Sequence, residues 1–350
     1  MENYPLFDNE YLIENSTVND NDFSKFLNYT NEVVNKVQNQ NNNCNEIPLT
    51  FYPIAKNIRM ASSYMVLNVV NGHSSYIDNA ARNGEPDFWK NNKNMGDWYP
   101  WLWSRGFDCN VEKNIDGWKI FFDSFAKNES VSDLQINGNS IQPPENLFIF
   151  FLYLSCLQYT FQFNNKYQEK MTFFKTNMDW PDASKILAVQ IRRGDSCNND
   201  GSISSKPFYH LDDYIKNIDK MISINGFEYI YISTDSDEEI NELQKIRPEW
   251  KLLYLPIDRS QFFRFKDVFV DLEVFCTLEP NRIPFIVDSG LADLYFISQC
   301  QGYISTISKS EFSRCGWFLQ IASQRKITPY INLNNNDQLN MYNPDILLLF

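Results

Sequence analysis

Ile186–Gly201 reads ILAVQIRRGDSCNNDG, an apolar run that ends abruptly in two arginines and an aspartate. Apolar residues over this length, closed by Gly194 and Asp195, predict a buried strand running into a loop at its carboxyl end. In open α/β sheets that end is where ligands bind. Arg192 and Arg193 beside Asp195 suit a substrate that carries phosphates and has a proton to be moved. A salt-bridged strand end with no ligand is the competing reading of the same residues.

Working outward from this stretch, the C-terminal half becomes regular. Strand Lys185–Ile191 leads to helix Leu211–Ile224, strand Tyr229–Ser233 to helix Asp237–Lys245, and strand Leu252–Leu255 follows. An aromatic, basic loop (Gln261–Lys266) precedes a helix near Asp288–Gln299, then strand Tyr303–Ser305, helix Glu311–Ala322 and strand Ile327–Ile331. Strands alternating with helices of this length predict a parallel α/β sheet with right-handed crossovers, a Rossmann-like nucleotide domain.

Two further strand ends there are polar. Ser233-Thr234-Asp235-Ser236 closes the second strand, and Ser236 with Glu239 spells a capping box. Thr306, Ser308, Lys309 and Ser310 lie between the fourth strand and its helix, where Ser308 and Glu311 spell another. Hydroxyls and a lysine around a helix N-terminus also make an anion site, because free N–H groups and the helix dipole favour negative charge.

The N-terminal half is less periodic. A polar patch, residues 38–45 (QNQNNNCN), predicts a loop after an N-terminal helix. A strand over Pro48–Tyr52, a helix over Arg59–Val70 and a strand at Ser75–Ile77 are expected next. Residues 87–125 are dense in aromatics, among them Trp89, Trp98, Trp101, Trp103 and Trp118. These rings suit either a sugar-stacking acceptor platform or plain core. Leu147–Phe163 is apolar but short of the ~20 residues a membrane span needs and carries Gln158 and Gln162, so a buried helix is expected.

At 350 residues the chain exceeds what one core usually supports, and two domains are expected, 1–183 and 184–350, the last ~20 residues packing back on the first. The formal charge of −13 argues against nucleic acid as a partner, since phosphate backbones need a basic face. Seven cysteines without a C-x-x-C pair and only two histidines, His73 and His210, are poor material for zinc and predict reduced thiols in a cytosol-like compartment. MENYPLFDNEYLIEN lacks the features of a secretory signal, so a cytoplasmic protein is expected. Sequons at Asn15 and Asn128 arise readily in so Asn-rich a chain.

The ordered blocks resemble a known family. QIRRGD resembles the H-x-R-R-T-D signature of the fucosyltransferase superfamily that includes α1,6- and nodulation fucosyltransferases and protein O-fucosyltransferases. YIYISTDSDEE resembles that family's strand ending in T-D. Asp293-Leu-Tyr-Phe-Ile-Ser-Gln-Cys with GYISTISKSEFSRCGWFLQ resembles its third block. Lys56-Asn57-Ile58-Arg59-Met60 is similar to an N-terminal element of these enzymes.

The resemblance implies a GT-B fold, two Rossmann-like domains with parallel sheets facing across a cleft. It implies inverting transfer of fucose from GDP-fucose to a glycan or protein hydroxyl, with no metal and no other cofactor. Arg192 would hold the β-phosphate, Asp293 read the guanine edge and Ser310 help hold the diphosphate. Arg193, Asn57, Asp235, Thr306 and Ser308 complete the implied donor set, and Asp200 or Asp195 would be the base. Gln190, Gly194 and Ser196 stand where the α1,6 branch has His, Thr and Lys, and Ile54-Ala55-Lys56 replaces a glycine-rich turn. A GT-B transferase of another nucleotide sugar and an inactive nucleotide-sugar binder remain alternatives.

Overall fold

The computed structural model describes residues 20–39, 44–46, 54–70, 74–76, 135–136, 139–140, 145–163, 165–181, 185–194, 209–262, 264–265, 268–269, 278–307 and 310–334. The described residues form two compact units, divided between Gln168 and Glu169. The sequence-predicted strand over Pro48–Tyr52, the aromatic segment 87–125 and residues 335–350 lie outside the described residues.

The first unit comprises α1 (Asp20–Asn39), β1 (Cys44–Glu46), α2 (Ile54–Val70), β2 (Ser74–Tyr76), the short antiparallel pair β3 (Gln135–Ile136) and β4 (Asn139–Ser140), and α3 (Glu145–Thr160). β1 and β2 pair in parallel. The polar patch is therefore not all loop: α1 runs through Asn39 and β1 begins at Cys44. α2 also starts five residues before the expected Arg59.

α3 is apolar all round, as a core helix must be, and Phe150 to Leu157 are all buried. It packs against α1 through Phe23 and Phe151, ring centres 4.8 Å apart. Two of its hydroxyls bond to neighbouring helices: Thr30 and Ser155 share a 2.6 Å hydrogen bond, and Ser62 and Thr160 one of 2.9 Å. No helix among the described residues is long and apolar enough to cross a membrane.

The second unit begins within α4 (Asn165–Asn177) and continues as β5 (Ile186–Ile191), α5 (Leu211–Asn225), β6 (Tyr229–Thr234), α6 (Asp237–Ile246), β7 (Leu252–Leu253), the hairpin β8 (Arg264–Phe265) and β9 (Val268–Phe269), α7 (Ile283–Gln299), β10 (Gly302–Ser305), α8 (Glu311–Gln324) and β11 (Tyr330–Asn332). Five strands form one sheet in the order β11-β10-β5-β6-β7, every pair parallel. The chain builds β5, β6 and β7 outward in one direction, then returns to add β10 and β11 on the other side of β5. That is a doubly wound α/β sheet, with its topological switch point between β5 and β10.

Strand alternation gives the sheet two different faces. Leu187, Val189, Ile191, Ile230, Ile232, Ile304 and Ile331 form an aliphatic face that packs against Tyr214, Ile215, Ile218 and Met221 of α5 and Ile240 and Leu243 of α6. Full burial of each such aliphatic contributes about 1.5–3 kcal/mol. The opposite face meets α7 and α8 through aromatic and polar groups. Trp180, Tyr231 and Phe296 pack there edge-on or tilted at centroid distances of 4.8 to 5.7 Å, and the Trp317 ring lies 4.3 Å from that of Tyr330. Gln320 ties α8 to its surroundings, its Nε2 donating to the Ile297 and Gly302 carbonyls at 3.1 and 3.0 Å.

Helix ends follow local chemistry. α5 opens with Asp212 and Asp213 in its first turn, where carboxylates favour the positive helix end. The Asp213 carboxylate accepts the His210 N–H at 3.2 Å. α5 closes at Gly226, whose φ of 66° is a left-handed conformation that glycine adopts without strain.

Candidate functional site

The register carries polar residues to one edge. Gln190 pairs with Ser233, and Ser305 with Asn332. Continued one residue, the β5–β10 register brings Ser305 beside Gln190. A row of Asn332, Ser305, Gln190 and Ser233 therefore crosses four strands at the carboxyl end of the polar face, and all four are buried. Beyond this row the chain leaves β5 through Arg192 and Arg193 and leaves β10 through Thr306 toward Ser310. These two exits flank the switch point, where a doubly wound sheet opens a crevice.

Arg192 is partly exposed, whereas Arg193 is only 7% exposed. The sequence places the two together as donor ligands, but Arg193 turns into its own unit. Its Nε and Nη2 donate to the two carboxylate oxygens of Glu239 at 2.5 and 3.1 Å, and Nη1 donates to the Tyr209 carbonyl at 2.9 Å. Its backbone N–H donates to Asp235 at 2.9 Å, so Asp235 pins the β5 exit to the end of β6.

This pairing also corrects the expected capping box at α6. Ser236 makes no side-chain cap bond; its N–H donates to the Thr234 hydroxyl at 3.2 Å, and the Glu239 carboxylate serves Arg193. A bidentate, charge-assisted pair with a buried guanidinium outweighs a neutral cap. At α8 the cap falls on Ser310 rather than Ser308: the Ser310 hydroxyl accepts the Ser313 N–H at 3.2 Å. Glu311, expected to answer Ser308, instead lies 3.6 Å from Arg314. The turn into the helix is closed by the Ser310 N–H donating to the Thr306 carbonyl at 3.1 Å.

Asp293, on α7, is 8% exposed, and the Tyr231 hydroxyl donates to its Oδ1 at 2.5 Å. Burial pushes its carboxyl up to about 6, against the opposing pull of Tyr231, Arg259 and Ser233. Asp293 thus lies behind the end of β6, on the polar face of the sheet. Asp195, Asp200 and Ser308 lie outside the described residues, as does the side chain of Asn57. Among the described residues no group of three His, Cys, Asp or Glu is placed to hold a metal ion.

Two contributors escape a reading of the sequence blocks. Arg259, 4% exposed, donates to the Thr234 and Leu255 carbonyls at 3.0 Å each and to Asp237 at 3.1 Å, and so fixes the exit of β6. It sits just ahead of the aromatic, basic loop, with no motif to mark it. The second is the link from Gln190 to Ser313, at 2.6 Å. Its one visible signal is a glutamine inside the otherwise apolar run ILAVQI.

Fold and site together define a doubly wound α/β unit whose polar and cationic residues gather at the switch point. Neither a protein-family model nor a curated protein matches the sequence. Solved structures do match. The chain is similar to the alpha-1,6-fucosyltransferase NodZ soaked with GDP-fucose (12% identity over 79% of this chain and 92% of that one, TM-score 0.41). It is similar to fucosyltransferase NodZ from Bradyrhizobium (11% identity, 79% and 92%, TM-score 0.40) and to POFUT1 in complex with GDP-fucose (13%, 72% and 67%, TM-score 0.35).

Proposed function

We propose that the chain is a metal-independent, inverting glycosyltransferase of GT-B type that transfers fucose from GDP-fucose to a glycan or protein hydroxyl. The observation that carries this reading is the meeting of two exits at one switch point: Arg192 after β5 and the Ser310-capped N-terminus of α8 after β10. A guanidinium and free helix N–H groups together suit a diphosphate. The three blocks that resemble the fucosyltransferase superfamily supply the sugar and the base.

In this reading residues 184–350 hold the nucleotide and residues 1–183 serve the acceptor. Arg192, Thr306, Ser308 and Ser310 hold the diphosphate. Asp293 meets the base, and Asp235 with Arg193 keeps the β5 exit in place. As the acceptor oxygen bonds to C1 of the sugar, the bond from C1 to the diphosphate oxygen breaks. The acceptor proton passes to Asp200 or Asp195, and Arg192 and the helix end stabilise the negative charge gathering on GDP.

The test is twofold. Calorimetry is expected to rank GDP above UDP and ADP; a preference for UDP would replace the sugar and base but keep the fold. Incubation with GDP-fucose in chelator is expected to give transfer or slow donor hydrolysis, and neither across a broad acceptor panel would leave only a binder. Arg192→Ala removes a charge-assisted phosphate contact, at a cost of about 1.5–3 kcal/mol, roughly ten- to a hundredfold in donor affinity or rate. Arg192→Lys keeps the charge but loses the planar fork. Unchanged donor affinity and rate in the lysine variant would refute a bidentate role.

A further inference from the structure

Gln190 is a polar side chain at a buried position of β5, 8% exposed, between the fully buried Val189 and Ile191. Burying an amide without a partner costs free energy, so its partner matters. Its Oε1 accepts the Ser313 hydroxyl at 2.6 Å, across 123 residues of sequence and across the switch point itself. Ser313 is fully buried, and its backbone N–H donates to the Ser310 hydroxyl oxygen. A continuous chain of bonds therefore runs from the strand that ends in Arg192 to the residue that caps α8.

We propose that Gln190, acting through Ser313, is a positioning residue that sets the Ser310 hydroxyl and the α8 N-terminus against the end of β5. Because the Ser310 oxygen already accepts from Ser313, its hydroxyl proton is the part directed to a ligand, as a donor to a phosphate oxygen. The amide link fixes how far that donor stands from the Arg192 strand, and being neutral it does so without adding charge to an anion site. The role rests on the nucleotide-diphosphate reading above, and the test separates the two.

Ser313→Ala keeps a good helix former and the backbone N–H to Ser310 while removing the tether. Gln190→Leu then removes the stranded acceptor. Single variants leave one buried partner unsatisfied, whereas the pair replaces both, which is close to neutral for stability. The measurements are the melting temperature and calorimetric affinities for GDP or UDP, whichever the wild type prefers, and for the matching nucleoside by competition. The double variant is expected to recover the melting temperature yet keep an about three- to tenfold loss of diphosphate affinity, with nucleoside affinity unchanged. Recovery of diphosphate affinity along with stability, or an equal loss for the nucleoside, would make the link structural only and overturn the proposal. A wild type that binds neither diphosphate overturns the site reading, and this role falls with it.

Discussion

At the scale of single residues, Asp293 is where burial and chemistry conflict most. Its carboxyl rises from 3.8 to about 6 chiefly through desolvation, and the hydrogen bond from Tyr231 offsets only part of this. A raised folded value means that its contribution to stability is complete below the unfolded value near 3.8 and disappears as pH rises through about 6. The shift of about two units corresponds to about 3 kcal/mol at most. Asp293→Asn, which keeps an acceptor for Tyr231, removes the titration. Denaturant unfolding from pH 4 to 7 is therefore expected to show the wild type losing stability relative to the variant as pH rises, and parallel curves would contradict the burial argument. Ligand binding runs the other way. A base that donates N–H groups needs the carboxylate, so nucleotide affinity in the wild type is expected to weaken as pH falls through 6, and a flat profile would remove Asp293 from base recognition.

At the scale of elements, what the sequence shows depends on how local the deciding physics is. The strands ILAVQI and YIYIST are legible because β-branched and aromatic residues crowd a buried sheet, and their order follows from alternation with helices. The cap at α6 was not legible. Ser236 and Glu239 have the spacing of a capping box, but Arg193 is 46 residues away and claims Glu239 only once β5 and β6 pair in parallel. Likewise, the spacing of Ser308 and Glu311 says nothing of the Ser313 N–H that selects Ser310 as cap. The polar row through Gln190 and Ser305 exists only in the register between strands, which no single strand encodes. Register also makes Gly302 a sharp test of the packing: a Cβ there would come within 2.4 Å of the Phe227 ring and 3.2 Å of Leu187. Both neighbours belong to a packed core, so Gly302→Ala is expected to destabilise by about 1–3 kcal/mol through overpacking, read as a lower denaturation midpoint. An unchanged midpoint would mean that Phe227 moves aside freely.

At the scale of the whole molecule, division of the described residues into two compact units bears on where a nucleotide acts. The first unit draws its stability from the α1, α2 and α3 packing around Phe23, Phe151 and Leu154, the second from the aliphatic and aromatic faces of its sheet. Separate cores predict two calorimetric transitions. Gly302→Ala identifies which belongs to the second unit, because it alone should be lowered. A nucleoside diphosphate at the β5–β10 switch point then stabilises that transition by mass action, by about 2.7 kcal/mol at a hundredfold excess over its dissociation constant. The transition that Gly302→Ala lowers is thus the one GDP is expected to raise, in Arg192→Ala far less than in the wild type. If GDP instead raised the transition that Gly302→Ala leaves in place, the nucleotide would be held chiefly by the first unit, and the switch point of the doubly wound sheet would not be its site.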